Sequence, residues 1–323
     1  MRVRVGAGGR LHFGFQNLSL AHERLYGGVG VALAEPRVEL TAEPAESVVC
    51  SDPLVADCAA AACDQLGVPG ARVTVERTLP RHVGLGSGTQ AALATLAAVA
   101  RAHDRPPEVR RRAPTLGRGG RSGVGVAAFE AGGFVVDAGH PTERFTTARP
   151  ADGEWTVPSV VARHDLPETW RFVLVVPDAD PGRSGEDEDE SMRTVVEGAD
   201  PAVADEAAAL VARRLLPAAA EGRLEAFGDA VAAFGRLNGA WYADQQGGVY
   251  RPPAGRLVDA LAEVPSVRGV GQSSWGPTVY GLTDASMADR ARTAAEAALD
   301  EVGAAGTVRV VAPGNEGARV TVE

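Results

Sequence analysis

The sequence predicts an α+β protein with two domains. Its 323 residues exceed the usual length of a single domain, and 45% of them are apolar, enough material for two cores. Short apolar or alternating segments in the first half are typical of strands, whereas the second half carries longer segments with helical spacing. A polar, proline-containing stretch from 141 to 167 separates the two kinds of sequence. We therefore expect one domain over residues 1–160 and a second over residues 161–323.

In the first half, predicted strands alternate with predicted helices. The strands cover residues 2–5, 29–33, 38–41 and 72–75. Helical spacing predicts helices over 52–66, closed by Gly67, and over 90–102. Apolar runs at 124–129 and 133–137, separated by a glycine turn, predict a β-hairpin.

The second half combines longer helices with further strands. The predicted helices cover residues 201–216, 221–238, 255–264 and 284–302. The predicted strands cover residues 171–176, 278–282, 307–311 and 319–322, and the helix 255–264 leads to a glycine-containing segment at 267–271. Pro217 is expected to separate the first two helices. Residues 177–190 end in an acidic run and predict a flexible, solvated loop.

Composition excludes several classes of partner. The formal net charge of -10 argues against a nucleic-acid partner, which normally requires a basic face. No apolar run reaches the length of a membrane span, and the first residues are typical of a strand rather than a signal peptide. The 3 cysteines have no zinc spacing and are typical of thiols in a reducing compartment. We expect a cytoplasmic protein that binds neither nucleic acid nor membranes.

The cationic side chains are all arginines, because the chain contains no lysine. This excludes a Schiff-base lysine and the lysine-containing form of the P-loop. Isoleucine is absent as well. Both missing residues have AT-rich codons, so the composition indicates a GC-rich genome.

A glycine-rich segment before a long apolar helix is the most informative motif. Residues 83–90 read Val-Gly-Leu-Gly-Ser-Gly-Thr-Gln and run directly into the predicted helix. Because the first N–H groups of a helix lack intrahelical acceptors, such a junction forms a cradle for anions, above all phosphate. A glycine turn capped by Ser87 or Thr89 is the alternative. The phosphate-binding candidates are Gly84, Gly86, Ser87, Gly88 and Thr89.

Further segments carry groups that bind phosphate or carboxylate. Arg10 and His12 alternate along one predicted strand, Arg24 precedes a glycine turn, and Arg121 begins the segment Arg-Ser-Gly-Val-Gly. A guanidinium can hold two oxygens of one anion. Taken singly, each of these residues is also typical of an ordinary surface or core position.

These motifs, in this order, resemble the GHMP kinase superfamily. The loop Pro-x-x-x-Gly-Leu-Gly-Ser at 80–87, the Ser-Gly-Val segment from Ser122 and the Gly/Ser/Gly-Pro turn at 271–277 match across nearly the whole chain. The resemblance implies the GHMP kinase fold, with an N-terminal domain like ribosomal protein S5 domain 2 and a C-terminal ferredoxin-like domain. It also implies that the loop binds a phosphate between the two.

One position departs from the kinases of this superfamily. Many of them carry Ser-Gly-Val-Asp, whose Asp is the catalytic acid, whereas this chain has Gly125 at that place. No lysine is present to assist phosphoryl transfer either. We therefore expect a phosphate cradle without kinase chemistry. A small-molecule kinase and a non-catalytic ligand sensor are the alternatives.

Four segments resemble one branch, the β-ribofuranosylaminobenzene 5′-phosphate synthases: 10–14, 26–30, 121–125 and 272–277. The resemblance implies coupling of phosphoribosyl pyrophosphate (PRPP) to 4-aminobenzoate, with release of pyrophosphate and CO2 and a carbon–carbon glycosidic bond. Relatives in C-nucleoside antibiotic pathways, of the formycin and pyrazofurin type, use a carboxylated pyrazole. Such chemistry needs bound pyrophosphate, a fixed ring and stabilised charge rather than a strong base.

Two types of acceptor are open. Because the composition indicates a GC-rich bacterium, we expect an aminopyrazole carboxylic acid in C-nucleoside antibiotic biosynthesis, with 4-aminobenzoate in methanopterin biosynthesis as the alternative. Mg2+ is the expected cofactor, since it bridges pyrophosphate oxygens and needs only one or two protein ligands. Analogy with the superfamily implies a homodimer.

The residues and the resemblance together predict a site. Candidate catalytic residues are Arg10, His12, Arg121, Asp137 and His140. Candidate substrate-binding residues outside the loop are Arg24, Ser122, Ser273, Ser274 and Trp275. Glu188, in the acidic run beside Ser184-Gly185, is the candidate magnesium ligand, with a solvated loop as the alternative. Asp137 and His140 are equally typical of structural turns, and Trp275 is either a core residue or a platform for the acceptor ring.

Overall fold

Two antiparallel sheets organise the part of the chain that the structure describes. In the computed structural model this part comprises residues 1–146, 150–179 and 186–323, with the backbone alone for residues 186–188. The strands are β1 Val3–Asn17, β2 Arg24–Pro44, β3 Ala71–Arg77, β4 Phe134–Asp137, β5 His140–Pro141, β6 Val160–His164, β7 Trp170–Pro177, β8 Arg268–Gln272, β9 Val279–Asp284, β10 Gly306–Val311 and β11 Arg319–Val322.

Helices cover both sheets. They are α1 Pro53–Leu66, α2 Ser87–Ala102, α3 Val109–Arg112, α4 Val124–Ala131, α5 Glu186–Gly198, α6 Pro201–Leu210, α7 Leu216–Ala220, α8 Leu224–Gln246, α9 Ala254–Ala262 and α10 Ala288–Val302. Among the residues described, none of these helices is long and apolar enough to cross a membrane.

The first sheet is built around the long strand β2. Its strand order is β11-β1-β2-β4-β6, and β3 and β5 also pair with β2. The N-terminal part of β2 pairs with β4 and its C-terminal part with β3. The sequence predicts two separate strands here, but the chain continues through Pro36, at a break in the β1–β2 pairing between Ala32 and Arg37. Because proline cannot donate to a ladder, a pairing break is where a strand tolerates it.

The predicted hairpin at 124–137 is wrong in its first arm. Residues 124–131 form the helix α4, which follows Gly123 and ends at Gly132 with φ +64°. Only the second arm is a strand, β4. A short buried apolar run fits either a strand or a helix, because periodicity does not separate the two when every face is covered.

Two predictions in the second half are also wrong. Residues 186–190 belong to the helix α5 rather than to a loop, since a segment with glutamates and without glycine or proline suits a helix. The helical stretch does not break at Pro217, which lies in the first turn of α7 after the π-helical segment Val211–Leu215. An N-terminal turn is the part of a helix where a missing N–H is least costly. Residues 180–185, including Ser184 and Gly185, lie outside the described residues.

The second sheet has the order β10-β7-β9-β8. One face packs against α9 and α10, through residues such as Val173, Leu257 and Ala295. The other face shares a core with α6, α8 and the first sheet, which brings Phe172 of β7 together with Phe13 of β1. This shared core places the end of β8 and the C-terminal half of α8 beside the middle of β1.

Strand pairing crosses the predicted domain boundary at residue 160. The strand β6 pairs with β4, and the C-terminal strand β11 pairs with β1. Both strands therefore lie in the first sheet, although most of the chain after 160 builds the second. The division into 1–160 and 161–323 stays a prediction.

Candidate active site

The glycine-rich loop ends at the N-terminus of α2, as the sequence predicts. Gly86 precedes the helix with φ +77°, a conformation that L side chains rarely adopt. A Cβ at Gly86 would lie 3.1 Å from Cγ of Arg10. The backbone N–H groups of Ser87, Gly88 and Thr89 belong to the first helical turn, where intrahelical acceptors are lacking. The loop therefore forms an anion cradle.

Strand β1 holds this cradle from one side. The amide of Arg10 donates to the carbonyl oxygen of Leu85 at 3.0 Å, and its Nη1 donates to the carbonyl oxygen of Gly84 at 2.6 Å. The guanidinium thus lies beside the loop, at the position expected of a group that neutralises bound phosphate. The prediction that Arg10 belongs to the site has this geometry in its favour.

The turn that contains Ser273 holds the cradle from a second side. Its Oγ donates to the carbonyl oxygen of Gly84 at 2.7 Å and accepts the N–H of His12 at 3.1 Å. The N–H of Ser274 donates to the carbonyl oxygen of His12 at 3.1 Å. A Cβ at Gly84 would lie only 2.2 Å from the carbonyl oxygen of Ser273, so this contact requires glycine. Three segments distant in sequence meet here.

The start of α4 forms a third side. Nε2 of Gln90 donates to the carbonyl oxygen of Gly125 at 2.9 Å, and a Cβ at Gly125 would lie 3.1 Å from Cγ2 of Thr89. A side chain at 125 would therefore point towards the cradle, where glycine leaves space. A Cβ at Gly88 would lie 3.4 Å from Nη1 of Arg118. Arg118, which sequence reasoning missed, thus adds a second guanidinium beside the loop.

Asp137 supports the turn before α4. Its side chain is fully buried, with Oδ2 accepting the N–H of Gly123 at 2.7 Å and the hydroxyl of Ser122 at 3.1 Å. Oδ1 accepts the N–H of Gly139 at 2.8 Å. Burial raises the pKa of Asp137, while hydrogen bonds from Gly139, Gly28, Gly123 and Ser122 act in the opposite direction. This carboxyl group is placed to position the turn rather than to contact a substrate.

Arg121 connects the same turn to the acidic helix. Its side chain, 13% exposed, forms an ion pair with Asp189 of α5. The pair brings the acidic run over the segment that leads into α4. The side chain of Glu188, the predicted magnesium ligand, lies outside the described residues. Its role stays a prediction.

Arg24 and His140 lie in the neighbouring strand pair of β2 and β5. The guanidinium of Arg24 donates to the carbonyl oxygens of Ala138 and Gly139, at 2.6 Å and 2.8 Å. His140 stacks on Phe145 with ring centroids 3.7 Å apart, and its Nε2 lies 3.2 Å from the carbonyl oxygen of Gly119. These contacts are structural, and the predicted roles of both residues in catalysis or binding stay predictions.

His12 lies between the cradle and a pocket. Its side chain is 5% exposed and packs edge-on against Phe15, with ring centroids 4.8 Å apart. Burial, with the charge of Arg10 as a second cause, lowers the pKa of His12 to about 3. The imidazole is therefore neutral at physiological pH. Its Nε2 is buried and, within the described part of the chain, has no hydrogen-bond partner.

The pocket beside His12 encloses about 430 Å³ of empty space, part of it open to solvent. Strand β1, helix α8, the loop after α8 and the 272–275 turn form its walls. Rings dominate the lining: His12, Phe13, Phe15, Tyr242, Tyr250 and Trp275. Among the described residues, no Asp, Glu, Lys or Arg side chain lines it. An uncharged, ring-lined pocket is suited to an aromatic molecule.

Helix α8 supplies the wall that sequence reasoning missed. Gly235, Asn238, Gly239, Tyr242 and Gln246 share one face of this helix at the pocket. Asn238 joins α8 to β1, since its Oδ1 accepts the N–H of Phe15 at 2.6 Å and its Nδ2 donates to the carbonyl oxygen of Phe15 at 3.0 Å. The i, i+3, i+4 spacing of polar and glycine residues was the available signal. Trp275, predicted as a ring platform, packs on Tyr242 with centroids 4.6 Å apart.

Acid is expected to destabilise the fold through the buried histidines. Burial lowers the pKa of His140 to about 4, and that of His12 is about 3, whereas an unfolded histidine titrates near 6.5. Below pH 6.5 the unfolded chain therefore binds more protons, and each histidine lowers the free energy of unfolding by roughly 2 kcal/mol between pH 7 and pH 5. The raised pKa of Asp137 acts in the opposite direction.

Urea unfolding at pH 7 and pH 5 measures this effect. Between pH 7 and pH 5, the free energy of unfolding of His140→Gln should fall by about 2 kcal/mol less than that of the natural chain. An equal loss in both proteins would show that His140 does not stay neutral in the folded state.

Comparison with known proteins decides the family. The family model for the GHMP kinases N terminal domain matches residues 53–133, and that for the GHMP kinases C terminal domain matches residues 215–301. Beta-ribofuranosylphenol 5'-phosphate synthase from Methanothermobacter thermautotrophicus is 32% identical over 304 residues, which cover 89% of this chain and 90% of the relative. The chain belongs to the beta-ribofuranosylphenol 5'-phosphate synthase family. The synthase of the same name from Archaeoglobus fulgidus is 33% identical over 88% of each chain.

Solved structures agree on the fold. Phosphomevalonate kinase from Streptococcus pneumoniae superposes with a TM-score of 0.67 at 12% identity, covering 96% of this chain and 99% of that chain. Homoserine kinase from Cytophaga hutchinsonii superposes with a TM-score of 0.62 at 14% identity, covering 99% of this chain and 97% of that chain. The predicted α+β class and GHMP kinase fold are confirmed.

Family membership also confirms the predicted enzyme class, a decarboxylating phosphoribosyltransferase. The relatives' name refers to a ribofuranosylphenol, whereas the sequence resemblance is to the ribofuranosylaminobenzene synthases. Both names describe a ribofuranosyl 5′-phosphate on a benzene ring with one electron-donating group.

Proposed function

We propose that this enzyme transfers the 5-phosphoribosyl group of PRPP to a ring carbon of a benzoate that carries an electron-donating group, releasing pyrophosphate and CO2. The observation that carries the proposal is the adjacency of an anion cradle and an uncharged ring-lined pocket along the same strand. Arg10 contacts the cradle, and His12, two residues on, lines the pocket. A phosphorylated donor and an aromatic acceptor are thereby held side by side.

The cradle suits the pyrophosphate of PRPP. The free N–H groups of the first turn of α2 and the guanidinium groups of Arg10 and Arg118 all favour a bound anion. Departure of pyrophosphate breaks its bond to the anomeric carbon and leaves positive charge on the ribose. Donors that hold the leaving group in place stabilise the negative charge that develops on it.

The pocket suits the acceptor. The ring carbon that bears the carboxylate forms a bond to the anomeric carbon, and the electron pair of its bond to the carboxyl group returns to the ring as CO2 leaves. No ring proton has to be removed, so the reaction does not require His12 to act as a base. A carboxylate in uncharged surroundings is poorly solvated, which favours its loss as neutral CO2.

The relatives alter the expected acceptor. Sequence composition favoured an aminopyrazole acid, but relatives with 32% and 33% identity carry a name that specifies a phenol product. We therefore place a benzoate first, with a hydroxyl or amino group opposite the carboxylate. The aminopyrazole acid is the competitor in the test below.

In this proposal, Mg2+ binds together with the donor PRPP. Within the part of the chain described, no group of three or more His, Cys, Asp or Glu side chains could hold a metal ion. Mg2+ commonly takes substrate phosphate oxygens and water, with one or two protein carboxylates at most. When bound, it neutralises charge on the pyrophosphate, and the cradle residues Arg10 and Arg118 orient the complex.

An acceptor panel tests the proposal. The enzyme, PRPP and Mg2+ are incubated with 4-aminobenzoate, 4-hydroxybenzoate or the aminopyrazole dicarboxylate, and pyrophosphate and CO2 are measured. We expect equal amounts of both products and the highest rate with a benzoate. A higher rate with the pyrazole would reverse the choice of acceptor. ATP-dependent phosphorylation of homoserine or mevalonate would indicate a kinase despite Gly125.

A further inference from the structure

We propose that Tyr250 and Gly235 select the acceptor, with the Tyr250 hydroxyl binding the electron-donating group of the ring and Gly235 keeping the space for it. This inference rests on the proposed function, since it assigns the ring-lined pocket to the acceptor. It names the part of the pocket that recognises a hydroxyl or amino substituent.

Two buried polar atoms of the pocket lining carry the inference. Nε2 of His12 and the hydroxyl of Tyr250 are both buried, and neither has a hydrogen-bond partner among the described residues. The amide groups of the lining are engaged: Gln272 accepts the N–H of Arg251 at 2.8 Å, and Gln246 donates to the carbonyl oxygen of Val249 at 2.8 Å. Because an unpaired buried polar group is costly, such atoms commonly face a ligand.

The two atoms belong to different walls of the pocket, that of His12 to β1 and that of Tyr250 to the loop after α8. His12 is bonded through its backbone to Ser273 and Ser274, so it marks the side next to the cradle, where the reacting carbon must lie. Tyr250 belongs to the loop after α8 and lies against Gly235 of that helix. A substituent opposite the reacting carbon points away from the cradle, towards the α8 side. Tyr250 is therefore the group placed to meet it.

A tyrosine hydroxyl suits both candidate substituents. Burial raises the pKa of Tyr250, which keeps the phenol protonated at neutral pH. It can then donate to and accept from a ligand hydroxyl, or accept from an amino group. A ring with a methyl group in that place would leave the tyrosine hydroxyl unpaired.

Gly235 leaves a gap next to this hydroxyl. A Cβ at Gly235 would lie 3.8 Å from the hydroxyl oxygens of both Tyr250 and Tyr280, which is ordinary contact. Alanine therefore fits the fold, and it favours a helix over glycine. Its methyl group would nevertheless occupy space that the pocket otherwise offers to the substituent.

Calorimetry in the presence of Mg2+ and pyrophosphate tests the role of Tyr250. The natural enzyme should bind 4-hydroxybenzoate at least about tenfold more tightly than 4-methylbenzoate, and Tyr250→Phe should remove this preference without changing affinity for PRPP. Tyr280→Phe is the comparison variant, because the Tyr280 hydroxyl is also buried, unpartnered among the described residues and equally close to a Cβ at Gly235, but Tyr280 does not line the pocket. It should keep the preference. A preference retained in Tyr250→Phe would overturn the inference.

Gly235→Ala provides an independent arm. It should weaken 4-hydroxybenzoate binding about tenfold, as expected when a methyl group intrudes on a ligand, while raising the melting temperature. Gly198→Ala, at the end of α5, outside the pocket and with nothing within 4 Å of an added Cβ, is its control. Unchanged affinity in Gly235→Ala would contradict the assignment of this space.

Different results would refute the proposed reaction and the proposed role of Tyr250. Tyr250-dependent binding without release of CO2 from any acceptor would leave the pocket assignment intact and refute the proposed reaction. Release of CO2 with equal activity in Tyr250→Phe would support the reaction and refute the selection by Tyr250.

Discussion

Gly88→Asp is expected to abolish PRPP binding while the chain folds normally. Gly88 lies in the first turn of α2 with ordinary helical geometry, and a Cβ there would lie 3.4 Å from Nη1 of Arg118. The introduced carboxylate would occupy the cradle and pair with Arg118, so it would repel pyrophosphate. An acidic residue in the first helical turn is favourable by about 0.3–1 kcal/mol, and we expect no loss of stability.

The neutral variant Gly88→Asn separates charge from size. It should bind PRPP at least about tenfold more tightly than Gly88→Asp, a difference of roughly 1.4 kcal/mol. Calorimetric titration with PRPP and Mg2+ measures both affinities, and thermal unfolding checks the fold. Natural affinity in a folded Gly88→Asp would remove the cradle from the site.

Asp137→Ala is expected to lower the free energy of unfolding by roughly 3–5 kcal/mol. The carboxyl group is fully buried and accepts hydrogen bonds from Ser122, Gly123 and Gly139. Alanine would leave these donors buried without acceptors, which costs more than the loss of the bonds themselves. The turn before α4 should loosen, and kcat/KM should fall in the protein that remains folded.

Urea unfolding measures the change, with Asp137→Asn as the isosteric comparison. The amide retains one acceptor oxygen, and its NH2 group then faces a donor, so we expect an intermediate loss. A loss below about 1 kcal/mol in Asp137→Ala would show that these donors find other partners and that Asp137 does not organise the turn.

Local sequence signals predicted much of the fold. Asp52 accepts the N–H of Val55 at 3.2 Å at the start of α1, and Gly67 closes the same helix with φ +63°, so both ends follow from local chemistry. The segment at 124–131 was predicted wrongly because residues 126–129 are all buried and its apolar run carries no period. Pairing of β11 with β1 joins the two ends of the chain and has no local signal.

The parts of the site that belong to a local sequence motif were predictable. The cradle at 84–89 and the Ser273 turn are recognisable from glycine and serine spacing, and Arg10 and Ser273 both donate to the carbonyl oxygen of Gly84. The α8 wall and Arg118 reach the site through packing between distant segments, which spacing alone does not reveal. Arg24 was predicted from its charge, but its guanidinium is engaged by backbone carbonyls.

Tracing the carboxyl carbon of the acceptor through the reaction is the most direct test of the central claim. The enzyme, PRPP, Mg2+ and carboxyl-13C 4-hydroxybenzoate or 4-aminobenzoate are incubated, and labelled CO2, pyrophosphate and the product are quantified by mass spectrometry and NMR. We predict one labelled CO2 for each pyrophosphate and a product in which the anomeric carbon is bonded to the ring carbon that carried the label. Pyrophosphate release with the label retained in an oxygen- or nitrogen-linked riboside would contradict the account.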